Sequence, residues 1–295
     1  MSEPKPSPPS PGATRELRDP VSPGAAVSRA CLLSPNQAET GRSLAPFRVG
    51  SVPYLNAVPL TRGLEDQIFF APPSALAEML RRDELDAALV SVTEVLFHDR
   101  YEVLDGVAVA SLGEVKSVFL AHRGPLEEAR EIFCDTASLT SVNLLRVLLA
   151  EHGVRPAFRP LASYERASMP DYALLIGDPA IDFLRGPHAH RIWDLGTAWL
   201  ELTGLPFVYA VWALRRSLES KELRRALRGA KAFGLETLDL IIGSRTEYDI
   251  QFRQNYLGRH IRYHLGTDEK RGLAKFSELL RQHGSAPVYD PRFVD

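Results

Sequence analysis

Apolar positions along this chain fall into short runs separated by stretches with helical spacing. The first run, Phe47-Arg48-Val49-Gly50, predicts a strand, and residues 74–82 set Leu76, Met79 and Leu80 at three- and four-residue spacing, which predicts a helix. Next comes Asp86-Ala87-Ala88-Leu89-Val90-Ser91, an apolar run closed by a polar residue and expected as a buried strand. The β, α, β rhythm continues with a strand over 115–121, a helix over 139–152 closed by Gly153, and a strand over 172–177. Such alternation predicts mostly parallel sheets. After Trp212 the pattern turns helical, with apolar positions at three- and four-residue spacing in 218–233, 236–243 and 268–282. Strands early, strands in the middle and helices last suit two lobes. The expected first lobe is 46–114 plus 212–295, its C-terminal helices returning to it, and the second is 115–211. The chain would cross between them near 111–117 and 207–213.

Residues 1–45 are crowded with Pro, Ser, Gly and Ala and have no apolar period. They cannot bury enough surface to offset the entropy of ordering, so they are expected to be a disordered leader, or to precede a later translation start. Nothing in them has the form of a secretory signal.

Composition removes several function classes. Lys and Arg number 35 against 37 Asp and Glu, so no global field recruits nucleic acid or an anionic membrane. A run of some 18 apolar residues is absent, which excludes a spanning helix. The two cysteines, Cys31 and Cys134, supply neither a disulfide framework nor a thiolate metal site, and a cytoplasmic protein is the expectation. His188 and His190, like His260 and His264, lack the acidic companion of a zinc-protease helix, so no metal site is expected.

Three turns present small polar groups where a strand hands over to a helix: Gly50-Ser51-Val52-Pro53-Tyr54-Leu55-Asn56, Val90-Ser91-Val92-Thr93-Glu94 and Ala137-Ser138-Leu139-Thr140-Ser141. In open α/β sheets ligands lie beyond the carboxyl ends of strands, against the unpaired N–H groups of helix N-termini. The same residue types are ordinary N-caps, and Asp178 before Pro179 reads as one too. From the residues alone the expectation is a two-lobed, anion-accepting cleft of small polar groups.

The motifs narrow this further. Ser51-Val52-Pro53-Tyr54-Leu55-Asn56-Ala57-Val58-Pro59-Leu60, Leu89-Val90-Ser91-Val92-Thr93-Glu94, Ser138-Leu139-Thr140-Ser141-Val142, Leu175-Ile176-Gly177-Asp178-Pro179-Ala180, Trp193-Asp194-Leu195-Gly196 and Leu202-Thr203-Gly204-Leu205-Pro206-Phe207-Val208-Tyr209-Ala210-Val211-Trp212 follow one another along the chain. Together they resemble the successive signatures of the chorismate dehydratases of menaquinone biosynthesis, over residues 47 to about 290. That resemblance implies an α/β, two-lobed type II periplasmic-binding-protein-like fold with a ligand cleft between the lobes. It also implies dehydration of chorismate to 3-[(1-carboxyvinyl)oxy]benzoate on the futalosine route, with no cofactor and no metal. Asn56 and Ser91 match the positions the family presents to substrate and are expected to be catalytic. Ser51, Tyr54, Ser117, Ser138, Thr140, Ser141 and Asp178 are expected to hold the dicarboxylate. Family members often carry two serines where this chain has Ser91-Val92. The rival readings are the sister enzyme that releases dihydroxynaphthoate, and a solute-binding or sensing protein without catalysis.

Overall fold

A computed structural model describes residues 43–135, 138–216, 218–284 and 286–295. The leader expected over 1–45 therefore lies almost wholly outside the described residues. Its last few positions belong to the fold: Leu44 is buried, and its N–H donates to Gln67 Oε1 at 2.8 Å.

The chain runs β1 (Val49–Ser51), α1 (Val58–Thr61), β2 (Ile68–Phe70), α2 (Pro73–Arg81), β3 (Ala87–Ser91), α3 (Val92–Phe97) and β4 (Tyr101–Ser111). It continues through β5 (Val118–His122), β6 (Glu131–Cys134), α4 (Leu139–Glu151), β7 (Ala157–Pro160), β8 (Tyr172–Ile176), α5 (Gly177–Arg185), β9 (Arg191–Asp194) and α6 (Leu195–Thr203). The last third holds β10 (Phe207–Arg215), α7 (Lys221–Glu236), α8 (Leu238–Ser244), α9 (Ile250–Asn255), α10 (Thr267–His283) and β11 (Phe293–Val294).

Among the described residues these strands form two sheets, ordered β11-β4-β10-β3-β1-β2 and β7-β6-β8-β5-β9. The chain leaves the first sheet after Ser111, enters the second at Val118, and returns through 204–206 into β10. Both sheets are mixed rather than uniformly parallel. In the first, β1 pairs parallel with β2 and β3, while β10 runs antiparallel to both β3 and β4. In the second, β6 pairs parallel with β7 and β8, while β5 runs antiparallel to β8 and β9. The antiparallel pairs involve the strands that flank the crossings. A chain that arrives from another sheet is free of the right-handed crossover that forces neighbours parallel.

The core is continuous through both sheets. Val90 and Trp212 from the first sheet, Leu120 and Leu174 from the second, and Leu144, Leu148 and Trp199 from the helices belong to one buried cluster. A smaller cluster around Phe119, Leu175 and Phe183 covers the outer face of the second sheet. Helix α4 explains the continuity: its apolar residues lie all round rather than in a stripe, and it packs against α3 and α10 as well as β8.

Two crossings are tied together by the Trp193-Asp194-Leu195-Gly196 segment. Asp194 caps α6 through Thr197 N–H at 2.9 Å and also accepts from Lys116 N–H at 2.8 Å and Val115 N–H at 3.1 Å. Gly196 lies against the outgoing chain, where an added Cβ would stand 2.3 Å from Gly113 O and 2.9 Å from the Tyr209 hydroxyl. No larger residue fits there without moving backbone.

Candidate active site

Between the sheets lies a cleft with about 600 Å³ of empty space. The turn after β1 brings Val52, Tyr54 and Asn56 to it, the end of β3 brings Ser91, and the outgoing crossing brings Val115 and Ser117. From the far side come Ser138 and Ser141 at the start of α4 and Ile176 and Gly177 at the end of β8, while β10, beside β3, adds Tyr209. Gly177 has φ +65°, and its Cα faces the Tyr54 ring, where a Cβ would lie 3.5 Å from the nearest ring carbon. Among the described residues, none lining this cleft is Asp, Glu, Lys, Arg or His.

The two helix starts meet here. Ser91 does not cap its own helix; its hydroxyl reaches across to Ser138 Oγ at 3.2 Å. Ser138 does cap α4, accepting from Ser141 N–H at 3.4 Å and from the Ser141 hydroxyl at 3.3 Å. Beneath them Thr93 and Thr140 share a 3.2 Å hydroxyl contact, and Thr93 N–H donates to Thr140 Oγ1 at 3.2 Å. A ring of hydroxyls thus stands over the positive end of α4, which is thirteen residues long.

Asn56 sits in a single 3-10 turn, Leu55–Ala57, half-buried. Its side chain is hydrogen-bonded to the Tyr256 hydroxyl, which in turn donates to Ser117 Oγ at 2.8 Å.

Burial pushes the Tyr54 phenol up to about 12, with smaller contributions from the Asp135 and Asp178 carboxylates. Tyr209 lies well above its usual range, first because it is buried and then because of Asp194; its hydroxyl contacts Ser111 Oγ at 3.1 Å. Both phenols are therefore neutral donors at physiological pH.

The expected site residues do not all reach the cleft. Tyr54, Asn56, Ser91, Ser117, Ser138 and Ser141 are brought together around it. Ser51, Thr140 and Asp178 stand behind that surface. Ser51 is fully buried, with no partner for its hydroxyl. Thr140 is likewise buried and committed to Thr93. Asp178, expected as an N-cap, is instead the second residue of α5, whose N-cap is Ile176. Its carboxylate accepts the Leu55 N–H, and burial raises it to about 6 against that bond. Glu94 is also structural: fully buried, it meets Arg81 at 2.6 Å and accepts from Tyr101 OH at 3.0 Å.

Sequence reasoning missed Tyr209, although it stood inside a quoted motif, and Tyr256, which no motif marks.

Comparison with known proteins decides the family. Residues 47–282 match the family model described as menaquinone biosynthesis. The chain belongs to that menaquinone biosynthesis family. A curated relative in it, chorismate dehydratase of Thermus thermophilus, is 36% identical over 261 residues, covering 80% of this chain and 96% of its own. Solved structures agree on the fold. A protein of Archaeoglobus fulgidus aligns with a TM-score of 0.64 at 20% identity, over 80% of this chain and 97% of that one. The periplasmic aliphatic sulphonate binding protein SsuA of Escherichia coli aligns at 0.55 and 14% identity, over 84% and 93%. The family thus uses the two-lobed binding-protein fold, as the motifs implied. No described helix is long and apolar enough to cross a membrane.

Proposed function

We propose that this protein is a chorismate dehydratase, a carbon–oxygen lyase that forms 3-[(1-carboxyvinyl)oxy]benzoate and water. The observation that carries the reading is the convergence of Asn56, Ser91, Ser117 and Ser138 on one cleft walled by apolar side chains, in a chain 36% identical to a curated chorismate dehydratase.

Chorismate is a dianion, and the cleft meets it with hydroxyls, an amide and helix N–H groups rather than with opposite charge. Ser138, Ser141 and the first amides of α4 receive one carboxylate. A carboxylate oxygen set at the start of α4 accepts from the Ser138 and Ser141 hydroxyls, and the helix terminus favours its charge. Apolar walls from Val52, Val109, Val115, Val118 and Ile176 enclose the ring and exclude water, which strengthens each of these bonds.

The reaction removes the C3 proton and the C4 hydroxyl. The C3–H electron pair becomes the C3=C4 bond as the C4–O bond breaks, and the ring gains aromaticity. That driving force leaves the protein the work of orientation and electrostatics. Among the described residues the cleft lining supplies no basic side chain, and Tyr54 and Tyr209 hold their protons. The base is then the substrate's own enolpyruvyl carboxylate, positioned by Asn56 and Ser91. It takes the C3 proton and passes it to the departing hydroxyl, so water leaves and the carboxylate is regenerated.

The test is turnover of chorismate by Asn56→Ala and Ser91→Ala variants, with a chorismate analogue lacking the enolpyruvyl carboxylate given to the unaltered protein. Both variants are expected to lose at least tenfold in kcat, and the analogue to bind without reacting. Full turnover by either variant, or reaction of the analogue, overturns the assignment of roles.

A further inference from the structure

Tyr256 lies outside the cleft lining, carries no motif and has no exposed surface, yet its hydroxyl has two partners and both line the cleft. It donates to Ser117 Oγ at 2.8 Å. With its only proton committed there, its oxygen is an acceptor toward Asn56, so the Asn56 amide must present Nδ2–H to it. This fixes which way round the amide stands. The Oδ1 atom and the second N–H of Asn56 are the groups left for a ligand.

Ser117 is oriented in the same way. Its oxygen is taken by Tyr256, and its own proton has one contact in the protein, Val115 O at 3.4 Å, at the long end of a hydrogen bond. A ligand oxygen in the cleft competes readily for that proton.

The backbone is built to deliver the tyrosine. Residues Tyr256–His260 form a π-turn, closed by Ile261 N–H donating to Tyr256 O at 3.0 Å. Such wide turns occur mostly as single insertions and often at functional sites. The same turn places His260 Nδ1 2.8 Å from Glu114 O, so both of its ends grip the outgoing crossing that carries Ser117. Stacking on Phe252, at 5.5 Å between centroids, holds the ring.

We infer that Tyr256 is a positioning residue of the dehydratase, locking the rotamer of Asn56 and the proton of Ser117 so that both face the C3–C4 edge of a bound cyclohexadiene dicarboxylate. The inference rests on the function proposed above and adds to it the residue that holds the reacting pair in register. Tyr256 is 0% exposed and burial holds its phenol well above its usual range, so its hydroxyl acts only as a fixed relay of hydrogen-bond direction.

The experiment is a double-mutant cycle on chorismate turnover with wild type, Tyr256→Phe, Asn56→Ala and the pair. Tyr256→Phe keeps the ring and its stack. It is expected to lower kcat at least tenfold with KM within threefold of wild type, and to cost no more than about threefold when added to Asn56→Ala, the part that still acts through Ser117. A purely structural tyrosine gives losses that multiply in the double variant and a lowered melting temperature without the kcat-specific loss. That result, or an unchanged kcat in Tyr256→Phe, overturns the inference. If wild type fails to convert chorismate, the proposed function itself fails and the inference falls with it, a result read from the wild-type arm alone. Should Tyr256→Phe not fold, Ser117→Ala takes its place, because it removes the acceptor while leaving the tyrosine packed. It is expected to lose at least threefold in kcat, and to lose less on Asn56→Ala than on wild type; losses that multiply in full again count against the inference.

Discussion

Replacing Asp194 by alanine tests how the outgoing crossing is joined to the start of α6. Its carboxylate accepts from Thr197, Lys116 and Val115 N–H groups at 2.9, 2.8 and 3.1 Å. Burial raises its pKa even against those three bonds, so the site is poorly solvated and water is a weak substitute for the lost oxygens. Losing the cap to Thr197 costs about 1 kcal/mol. Leaving the other two amides without an acceptor costs about 1–2 kcal/mol each at partly buried positions. The sum is about 3–5 kcal/mol, a large fraction of the 5–15 kcal/mol typical of a folded domain. Asp194→Asn keeps one acceptor oxygen but points an N–H at a backbone N–H, and is expected to cost about half as much. Urea unfolding followed by circular dichroism measures both. Because Val115 and Ser117 ride on the same segment, kcat should fall in the folded Asn variant as well. A loss under 1 kcal/mol for Asp194→Ala refutes the claim that this carboxylate ties the outgoing crossing to α6.

Other predictions follow from the buried charges and the cleft. Glu94→Gln, which takes the buried carboxylate charge away from the partly exposed Arg81, is expected to lose about 1–3 kcal/mol in urea unfolding. Its kcat/KM in the folded state should stay within twofold of wild type, and a hundredfold drop would make Glu94 the base. Asp178 has a folded pKa raised to about 6 from 3.8, so ionising it costs stability, and that cost appears as pH rises from 4 through 6. The melting temperature of Asp178→Asn relative to wild type should therefore increase between pH 4 and pH 7; a decrease over that interval contradicts the burial account. Gly196→Ala forces a Cβ within 2.3 Å of Gly113 O and should yield little soluble protein, which expression and gel filtration will show.

Much of the architecture was legible from apolar spacing. Leu76, Met79 and Leu80 marked α2, the run before Ser91 marked β3, and Leu139 with its capping serine marked α4, because each satisfies a local rule that tertiary contacts only reinforce. The mixed sheets were not legible: strand direction at the crossings is set by where the chain comes from in space, which no local period records. The polar turns led to the cleft, and six of the nine expected site residues line it. Ser51 and Thr140 failed to reach it because a hydroxyl at a strand end or in the first turn of a helix faces either cleft or core, and period alone does not say which. Asp178 was mistaken for a cap because Asp before Pro has that form; its partner, the Leu55 N–H, lies more than a hundred residues earlier in the chain. Tyr256 was invisible for a related reason. It acts at long range from a π-turn, and one extra residue per turn leaves no signature in spacing.

The most direct measurement mixes the purified protein with chorismate in buffer without added metal or cofactor and resolves the products by chromatography with mass detection. A product lighter than chorismate by one water, with an aromatic absorption spectrum and the enolpyruvyl group intact, is the predicted result. Unchanged chorismate in the presence of folded protein would contradict the account.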